Sequence, residues 1–266
     1  MKIINIDKPQ KKMNIYLVGD THYPRGKRQK FKEVLNDILR DKNGYMIGLG
    51  DWVECINQND PRYNPEEIAT IIAKYGDPLN MINRQWDLFE RDIKPLAEKK
   101  KILGLHSGNH NMQFVKRHSF NALEGICSRL NVRYLGDGMT IWCLNYKQKP
   151  IKMLTFHGTG GGITQGYAYN QLDRYSRIFD DINILAVGHT HKLGINISTD
   201  RLKVDPSKVE LVQSPQYHCS CGSFLGNYDT EVASYSERKA YPPLPIGYIL
   251  VEIENGEIKR VSPIIC

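Results

Sequence analysis

Five short apolar runs in this chain are each followed at once by a turn that carries Asp, Asn or His. The runs are MNIYLVG at 13–19, YMIGLG at 45–50, KILGLHSG at 101–108, IKMLTF at 151–156 and INILAVG at 182–188. Their length and aliphatic content predict buried strands. The segments between them include one at 28–41 with apolar residues at helical spacing, and another predicted to begin with Ser119 as its N-cap. This alternation predicts an α/β fold in which the polar turns meet beyond the carboxyl ends of the strands.

The polar turns supply seven side chains of the types that bind divalent metal ions. They are Asp20 and His22 in GDTH, Asp51 in GD, Asn109 in GNH, His157, and His189 and His191 in GHTH. Imidazole nitrogen and hard oxygen without thiolate suit Mn, Fe, Zn or a similar ion. Seven ligands exceed the need of one four-coordinate ion, whereas two ions that share a carboxylate would use them all. Two ions about 4 Å apart are typical of in-line displacement at phosphorus.

In this order, the clusters GDxH, GD, GNH, lone His and GHxH resemble those of the calcineurin-like metallophosphoesterase superfamily, over residues 15–191. The resemblance implies a four-layer sandwich, in which two facing mixed β-sheets are flanked by α-helices. It also implies two ion sites that share the Asp51 carboxylate. These are Asp20, His22, Asp51 and His191 for one ion, and Asp51, Asn109, His157 and His189 for the other.

His110 has no ligand role in this scheme. The resemblance implies that it is the acid that stabilises or protonates the leaving oxygen. Many relatives follow GNH with an acidic residue, where this chain has Asn111. Glu54, three residues after Asp51, is the predicted replacement, because a carboxylate there could fix the tautomer of His110 and stabilise its protonated form. The alternative is that Glu54 is a solvent-exposed loop residue.

The predicted activity is hydrolysis of a phosphate ester by in-line attack of a hydroxide that bridges two divalent ions. Mn is the favoured metal, with Fe, Zn, Ni or Co as alternatives. A phosphodiester is the favoured substrate, with nucleic acid cleaved by a nuclease as one form of it. One alternative is a phosphomonoesterase that acts on a nucleotide or a phosphoprotein. The alternative from another class is a metal-binding scaffold without catalysis.

The formal net charge is +7, and a group of cations directly follows the GDTH cluster. Arg25, Lys27 and Arg28 are predicted to bind substrate, because they could contact the phosphates that flank a scissile bond. Cations at the start of a helix oppose its dipole, which suggests a functional reason for their position. The alternative is a solvated basic helix end.

The length of 266 residues and the hydrophobic content of 41% predict one metallophosphoesterase domain over residues 1–266. Residues 55–100 and 199–247 are predicted embellishments that form walls near the metals and carry substrate choice. The first twelve residues have no apolar core of signal-peptide length, and no stretch approaches the length of a membrane span. We therefore expect a cytoplasmic protein without a membrane partner.

Overall fold

The computed structural model describes residues 1–55, 65, 69, 81–147, 149–162, 164–198, 202–205, 210–226, 228, 237 and 240–266. Its strands are β1 (Lys2–Ile6), β2 (Lys12–Val18), β3 (Gly44–Gly48), β4 (Ile102–His106), β5 (Tyr134–Gly136), β6 (Thr140–Leu144), β7 (Ile151–Phe156), β8 (Ile184–Val187), β9 (Leu193–Ser198), β10 (Leu202–Asp205), β11 (Glu210–Gln213), β12 (Gln216–Cys221), β13 (Gly247–Glu254) and β14 (Glu257–Ile265). Its helices are α1 (Arg28–Arg40), α2 (Met81–Glu98), α3 (Asn109–His118), α4 (Ala122–Arg129) and α5 (Gln165–Ser176).

Twelve of these strands form two mixed sheets of six strands each. The first sheet has the order β1-β6-β7-β8-β12-β9, and the second has the order β14-β13-β2-β3-β4-β5. Strands β2, β3 and β4 are parallel neighbours in the second sheet, and β7 and β8 are parallel neighbours in the first. These five strands are the apolar runs predicted from the sequence, so the prediction of buried strands is confirmed.

Three apolar clusters show how the sheets and helices are layered. Between the sheets, Leu17 of β2 and Trp142 of β6 belong to one buried cluster. On the outer face of the second sheet, Phe31 and other residues of α1, α2 and α4 form another cluster with β2, β3 and β4. On the outer face of the first sheet, Leu154 of β7 packs in a cluster with Leu172 of α5. The order helix, sheet, sheet, helix confirms the predicted four-layer sandwich.

The helix that follows GNH was not predicted, and it changes the capping of the next one. Helix α3 begins at Asn109 itself and ends at His118, and the next residue, Ser119, has a left-handed φ of 52°. Ser119 is therefore a C-cap, and its prediction as an N-cap is wrong. The side chain of Asn121 caps α4 instead, by accepting a hydrogen bond from the backbone N–H of Glu124 at 3.3 Å.

Parts of the two predicted embellishments lie outside the described residues. Within 55–100, the structure describes α2, whose Phe89 stacks on Trp52 with ring centroids 4.9 Å apart. Within 199–247, strand β12 lies between β8 and β9 in the first sheet. In the part of the chain that the structure describes, no helix has the length and apolar content needed to cross a membrane.

Candidate metal centre

All seven predicted metal ligands lie just beyond the carboxyl ends of strands. Asp20 and His22 follow β2, Asp51 follows β3, Asn109 follows β4, His157 follows β7, and His189 and His191 follow β8. Because these strands are parallel within their sheets and the two sheets face each other, the five turns meet at one edge of the sandwich. The side chains form two donor groups there.

The first donor group consists of Asp20, His22 and His191. The Nε2 atom of His22 lies 3.0 Å from Nε2 of His191, which in turn lies 3.2 Å from Oδ1 of Asp20. The distance from His22 Nε2 to Asp20 Oδ1 is 3.8 Å. Asp20 and His22 are fully buried. Three atoms with lone pairs thus converge on one small volume, as metal ligands do.

The second donor group consists of Asp51, Asn109, His157 and His189. Oδ1 of Asn109 lies 2.8 Å from His189 Nδ1 and 2.9 Å from His157 Nε2. Oδ2 of Asp51 lies 3.2 Å from His157 Nε2. The other oxygen of Asp51 accepts a hydrogen bond from the backbone N–H of His110 at 3.0 Å. Gly108 makes this approach possible, because a Cβ there would lie 2.0 Å from Asp51 Oδ1.

In three of the histidines, the ring nitrogen that faces away from its donor group contacts an oxygen acceptor. Nδ1 of His157 lies 2.8 Å from the carbonyl oxygen of Leu49, and Nε2 of His189 contacts the carbonyl oxygen of Gly160. Nδ1 of His22 lies 3.2 Å from Oε1 of Glu54. Each acceptor favours a proton on the nitrogen it contacts, which leaves the lone pair of the other nitrogen for a metal.

The orientation of Asn109 tests whether this residue set fits a cation. Hydrogen bonding alone would favour the reversed amide, whose nitrogen would donate to His189 Nδ1, His157 Nε2 and Asp51 Oδ2 at 2.8, 2.9 and 3.1 Å. The amide instead directs its oxygen toward these lone pairs. Lone pairs that face one another are expected around a positive ion. The nitrogen and oxygen atoms present therefore fit divalent metal ions of the Mn, Fe or Zn type.

Five of the seven predicted ligands have left-handed backbone conformations. Their φ values are 53° for Asp20, 48° for His22, 48° for Asp51, 63° for His189 and 56° for His191. Such values are uncommon outside glycine and cost on the order of 1–3 kcal/mol each. Hydrogen bonds between the turns offset part of this cost. The backbone N–H of Asp20 donates to the carbonyl oxygen of Gly50 at 2.8 Å, and the backbone N–H of His22 donates to the carbonyl oxygen of Asp51 at 3.0 Å. Strain concentrated in this way is typical of functional sites.

The charges of the site shift the pKa values of its members. Burial lowers the pKa of His22, but the carboxylates of Glu54, Asp20 and Asp51 outweigh burial and raise it to about 10. Burial would raise the pKa of Asp51, but His157 and His110 hold it well below its usual range. The carboxylate is therefore ionised at neutral pH, which favours a bound cation. Protons on the imidazoles compete with that cation.

The sequence profile of the calcineurin-like phosphoesterases matches residues 13–193, which is more than half of the chain and contains all seven predicted ligands. The chain belongs to the calcineurin-like phosphoesterase family. The metallophosphoesterase resemblance inferred from the five motifs is thereby confirmed. None of the curated proteins matches the chain in sequence.

Several solved structures are similar to this calcineurin-like phosphoesterase along nearly its whole length, at low identity. A predicted phosphoesterase from Streptococcus pneumoniae TIGR4 is 12% identical with a TM-score of 0.38, covering 96% of this chain and 98% of its own. Vps29 from Cryptosporidium parvum is 16% identical with a TM-score of 0.41, and the match covers 96% of this chain and 99% of the Vps29 chain. Vps29 from Entamoeba histolytica, complexed with Zn²⁺, is 15% identical with a TM-score of 0.40, covering 95% and 97%.

Glu54 lies among the predicted metal ligands rather than in an exposed loop. It is buried, and its two carboxylate oxygens contact two different imidazoles. Oε1 lies 3.2 Å from His22 Nδ1, and Oε2 lies 3.1 Å from His110 Nδ1. The alternative of a solvent-exposed Glu54 is therefore wrong. Asn111, which replaces the acidic residue of many relatives, accepts a hydrogen bond from Gly108 N–H at 3.3 Å and closes the first turn of α3.

His110 lies between Glu54 and Asp51 at the edge of the second donor group. Its Nε2 atom is 3.8 Å from Asp51 Oδ2, and its side chain is 13% exposed. Its other ring nitrogen, Nδ1, faces Glu54. The imidazole thus presents Nε2 toward the second donor group and is partly open to solvent.

The three basic residues predicted to bind substrate lie in different environments. Nη1 of Arg25 lies 3.6 Å from Oε1 of Glu54, so Arg25 is at the metal centre. Lys27 is exposed at the start of α1. Arg28 points toward α2, where its Nε and Nη2 atoms donate to the two oxygens of Asp92 at 2.6 and 2.7 Å. The structure therefore brings Arg25 to the site but not the guanidinium of Arg28.

Backbone and hydroxyl groups contribute to the centre in ways that the sequence analysis missed. The hydroxyl of Ser223 donates to the carbonyl oxygen of Asp20 at 3.1 Å, and Thr21 donates to that of Trp52 at 2.8 Å. The carbonyls of Leu49 and Gly160 orient two ligands. The sequence gives no sign of these carbonyls, because a residue of any type provides one. The exception is the glycine-rich stretch at 158–162, which contains Gly160 and is visible in the sequence.

Proposed function

We propose that this chain is a dinuclear metal-dependent phosphoesterase that hydrolyses phosphodiesters, with DNA or RNA cleaved by nuclease action among them. The main support is the convergence of seven donor side chains in two groups, the second of which contains Asp51. The first donor group with Asp51 would hold one ion, and the second donor group would hold the other. Mn is the favoured metal, with Fe, Zn, Ni or Co as alternatives. When bound, two such ions supply acidified water and neutralise charge on the phosphoryl oxygens.

The side chains around the donor groups would then position and protonate the ester. His110 Nδ1 lies 3.1 Å from the backbone carbonyl oxygen of Glu54, which accepts its proton, and 3.1 Å from the carboxylate oxygen Oε2, so a protonated His110 would donate from Nε2 to the leaving oxygen. The same carboxylate orients His22, so Glu54 couples a metal ligand to the acid. Arg25, whose Nη1 lies 3.6 Å from Glu54 Oε1, would contact a phosphate that flanks the scissile bond.

Two model esters test the proposed reaction and its preference. With Mn²⁺ added to the metal-free protein, we expect faster hydrolysis of bis-p-nitrophenyl phosphate than of p-nitrophenyl phosphate. A faster monoester reaction would support the phosphomonoesterase alternative. If neither ester is hydrolysed with Mn, Fe, Zn, Ni or Co, the proposal that the chain is an enzyme would be refuted. The alternative of a metal-binding scaffold without catalysis would then be supported.

His110→Ala should separate proton transfer from metal binding. We expect kcat to fall about 10²–10⁴-fold, because that is the usual contribution of a positioned general acid. Metal content, measured by mass spectrometry, should equal that of the wild type. Gln113→Ala, at an exposed position of α3, is the control and should leave both quantities unchanged. Loss of metal from His110→Ala would contradict the assigned role.

The nuclease form of the proposal depends on cations near the site. Replacing Arg25 or Lys27 by Gln should weaken binding of a single-stranded oligonucleotide and reduce the slope of log K against log salt by roughly one phosphate contact each. Arg28→Gln is the matched control, since the guanidinium of Arg28 is paired with Asp92. If the slope is the same for all three variants, the nuclease form fails.

A further inference from the structure

The glycine loop, residues 158–162 between β7 and α5, is connected to two members of the second donor group. His157 directly precedes it. The carbonyl oxygen of Gly160, within the loop, accepts a hydrogen bond from Nε2 of His189. The loop therefore bears on the position of one ligand and the ring orientation of another. Nothing in the loop itself would keep it in place, because glycine restricts the backbone least of all residues.

Helix α5 contacts this loop through a row of three side chains that we call the polar ladder: Tyr167, Gln171 and Tyr175. They are spaced four residues apart and so lie on one face of the helix. Nε2 of Gln171 donates to the Tyr167 hydroxyl at 2.5 Å, and the Tyr175 hydroxyl donates to Gln171 Oε1 at 2.6 Å. The ladder ends on the loop, where the hydroxyls of Tyr175 and Thr159 are 2.8 Å apart.

The loop backbone lies directly against the ladder. A Cβ at Gly160, whose φ is +91°, would lie 2.3 Å from Gln171 Nε2 and 2.4 Å from the Tyr167 hydroxyl. Only glycine fits in this conformation and this space. The ladder is itself fixed, because Tyr175 is buried and packs edge-on against Phe156, with ring centroids 5.0 Å apart. Phe156 is the residue before His157, so the anchor lies next to the ligand.

We propose that the polar ladder is a positioning device for the second donor group. It holds the glycine loop so that the carbonyl of Gly160 keeps His189 turned with Nδ1 toward the metal. This inference rests on the proposed function, because it presumes that the second donor group binds an ion. Without the ladder, the glycine loop would sample other conformations, and the His189 ring would lose its acceptor. Loss of such an outer contact commonly weakens metal binding by about 10–100-fold.

The test measures metal binding in the absence of any ester. Metal-free full-length protein is titrated with Mn²⁺ by calorimetry, as wild type, Gln171→Leu and Tyr175→Phe. Gln171→Leu removes both amide hydrogen bonds, and Tyr175→Phe keeps the packed ring and removes only the hydroxyl. Asn170→Leu, at an exposed position of the same helix, is the control for the loss of an amide. In both ladder variants, we expect the dissociation constant of one Mn²⁺ ion to rise about 10–100-fold while that of the other ion stays the same. In Asn170→Leu, both dissociation constants should equal those of the wild type.

Equal weakening of both ions would indicate a general loss of structure and would overturn the positioning role. Both constants within twofold of wild type in the two ladder variants would also overturn it. A wild type that binds fewer than two ions would overturn this inference together with the proposed function. A further outcome is that the wild type binds two ions, the ladder variants weaken only one of them, and neither model ester is hydrolysed. That result would support the positioning role of the polar ladder and would count only against the proposed enzyme activity.

Discussion

Asp51→Asn should lose nearly all of the proposed phosphoesterase activity and at least one of the two proposed metal ions. The amide preserves the size of the carboxylate but removes the negative charge that would hold two cations. We expect kcat to fall roughly 10³-fold, since the charge stabilisation supplied by metal ions amounts to several kcal/mol and each 1.36 kcal/mol is a factor of ten. The measurements are kcat on bis-p-nitrophenyl phosphate and metal content per chain.

An exposed carboxylate at the other end of the fold provides the control for Asp51→Asn. Asp181 precedes β8, at the end of that strand opposite the metal centre, and its side chain pairs with Lys152. Asp181→Asn should retain wild-type activity and both ions. The shared-carboxylate scheme would be refuted if Asp51→Asn kept two ions and an activity within tenfold of wild type.

The clustering of the seven candidate ligands could be predicted from the sequence because these residues follow a simple rule. Each ligand turn directly follows a short apolar strand, and parallel neighbours deliver their carboxyl ends to one edge. Asp20 and Asp51, for example, are separated by a strand, a helix and a turn, yet their turns are joined by the hydrogen bond from His22 N–H to the Asp51 carbonyl. Because each motif directly follows a strand, predicting the strands was enough to predict that the motifs would meet at one edge.

Other features depend on long-range pairing that local patterns do not report. Arg28 follows the ligands in the sequence, but its guanidinium is directed to Asp92, which lies on a helix far along the chain. Strand β12 joins the first sheet although it lies in a stretch rich in Tyr, Ser and Pro. The contact of Glu54 with His22 likewise could not be predicted, since one carboxylate can reach two imidazoles only in the folded turn.

A hydrogen-bonded link between the two sheets is a further feature with no local signal. Nε1 of Trp142, on β6, donates to the Thr155 hydroxyl on β7 at 2.8 Å. The same hydroxyl lies 2.9 Å from Nε2 of His106, on β4 of the second sheet. Burial lowers the pKa of His106 to about 3, so its ring is neutral and can accept from the hydroxyl. The carbonyl of His106 also accepts from Trp52, the neighbour of Asp51, at 2.8 Å.

Trp142→Ala should be among the most destabilising single substitutions in the described core. Trp142 is fully buried between the sheets, so the truncation leaves a large cavity and removes a donor, and we expect a loss of about 3–5 kcal/mol in the free energy of unfolding. Trp142→Phe keeps most of the ring but leaves the link incomplete, and should cost about 1–3 kcal/mol. Urea denaturation measures both, with the exposed Ile3→Ala as a control expected within about 0.5 kcal/mol of wild type. If Trp142→Phe were as stable as wild type, the hydrogen bond from Trp142 to Thr155 would add nothing to stability, and Trp142 would stabilise the fold through packing alone.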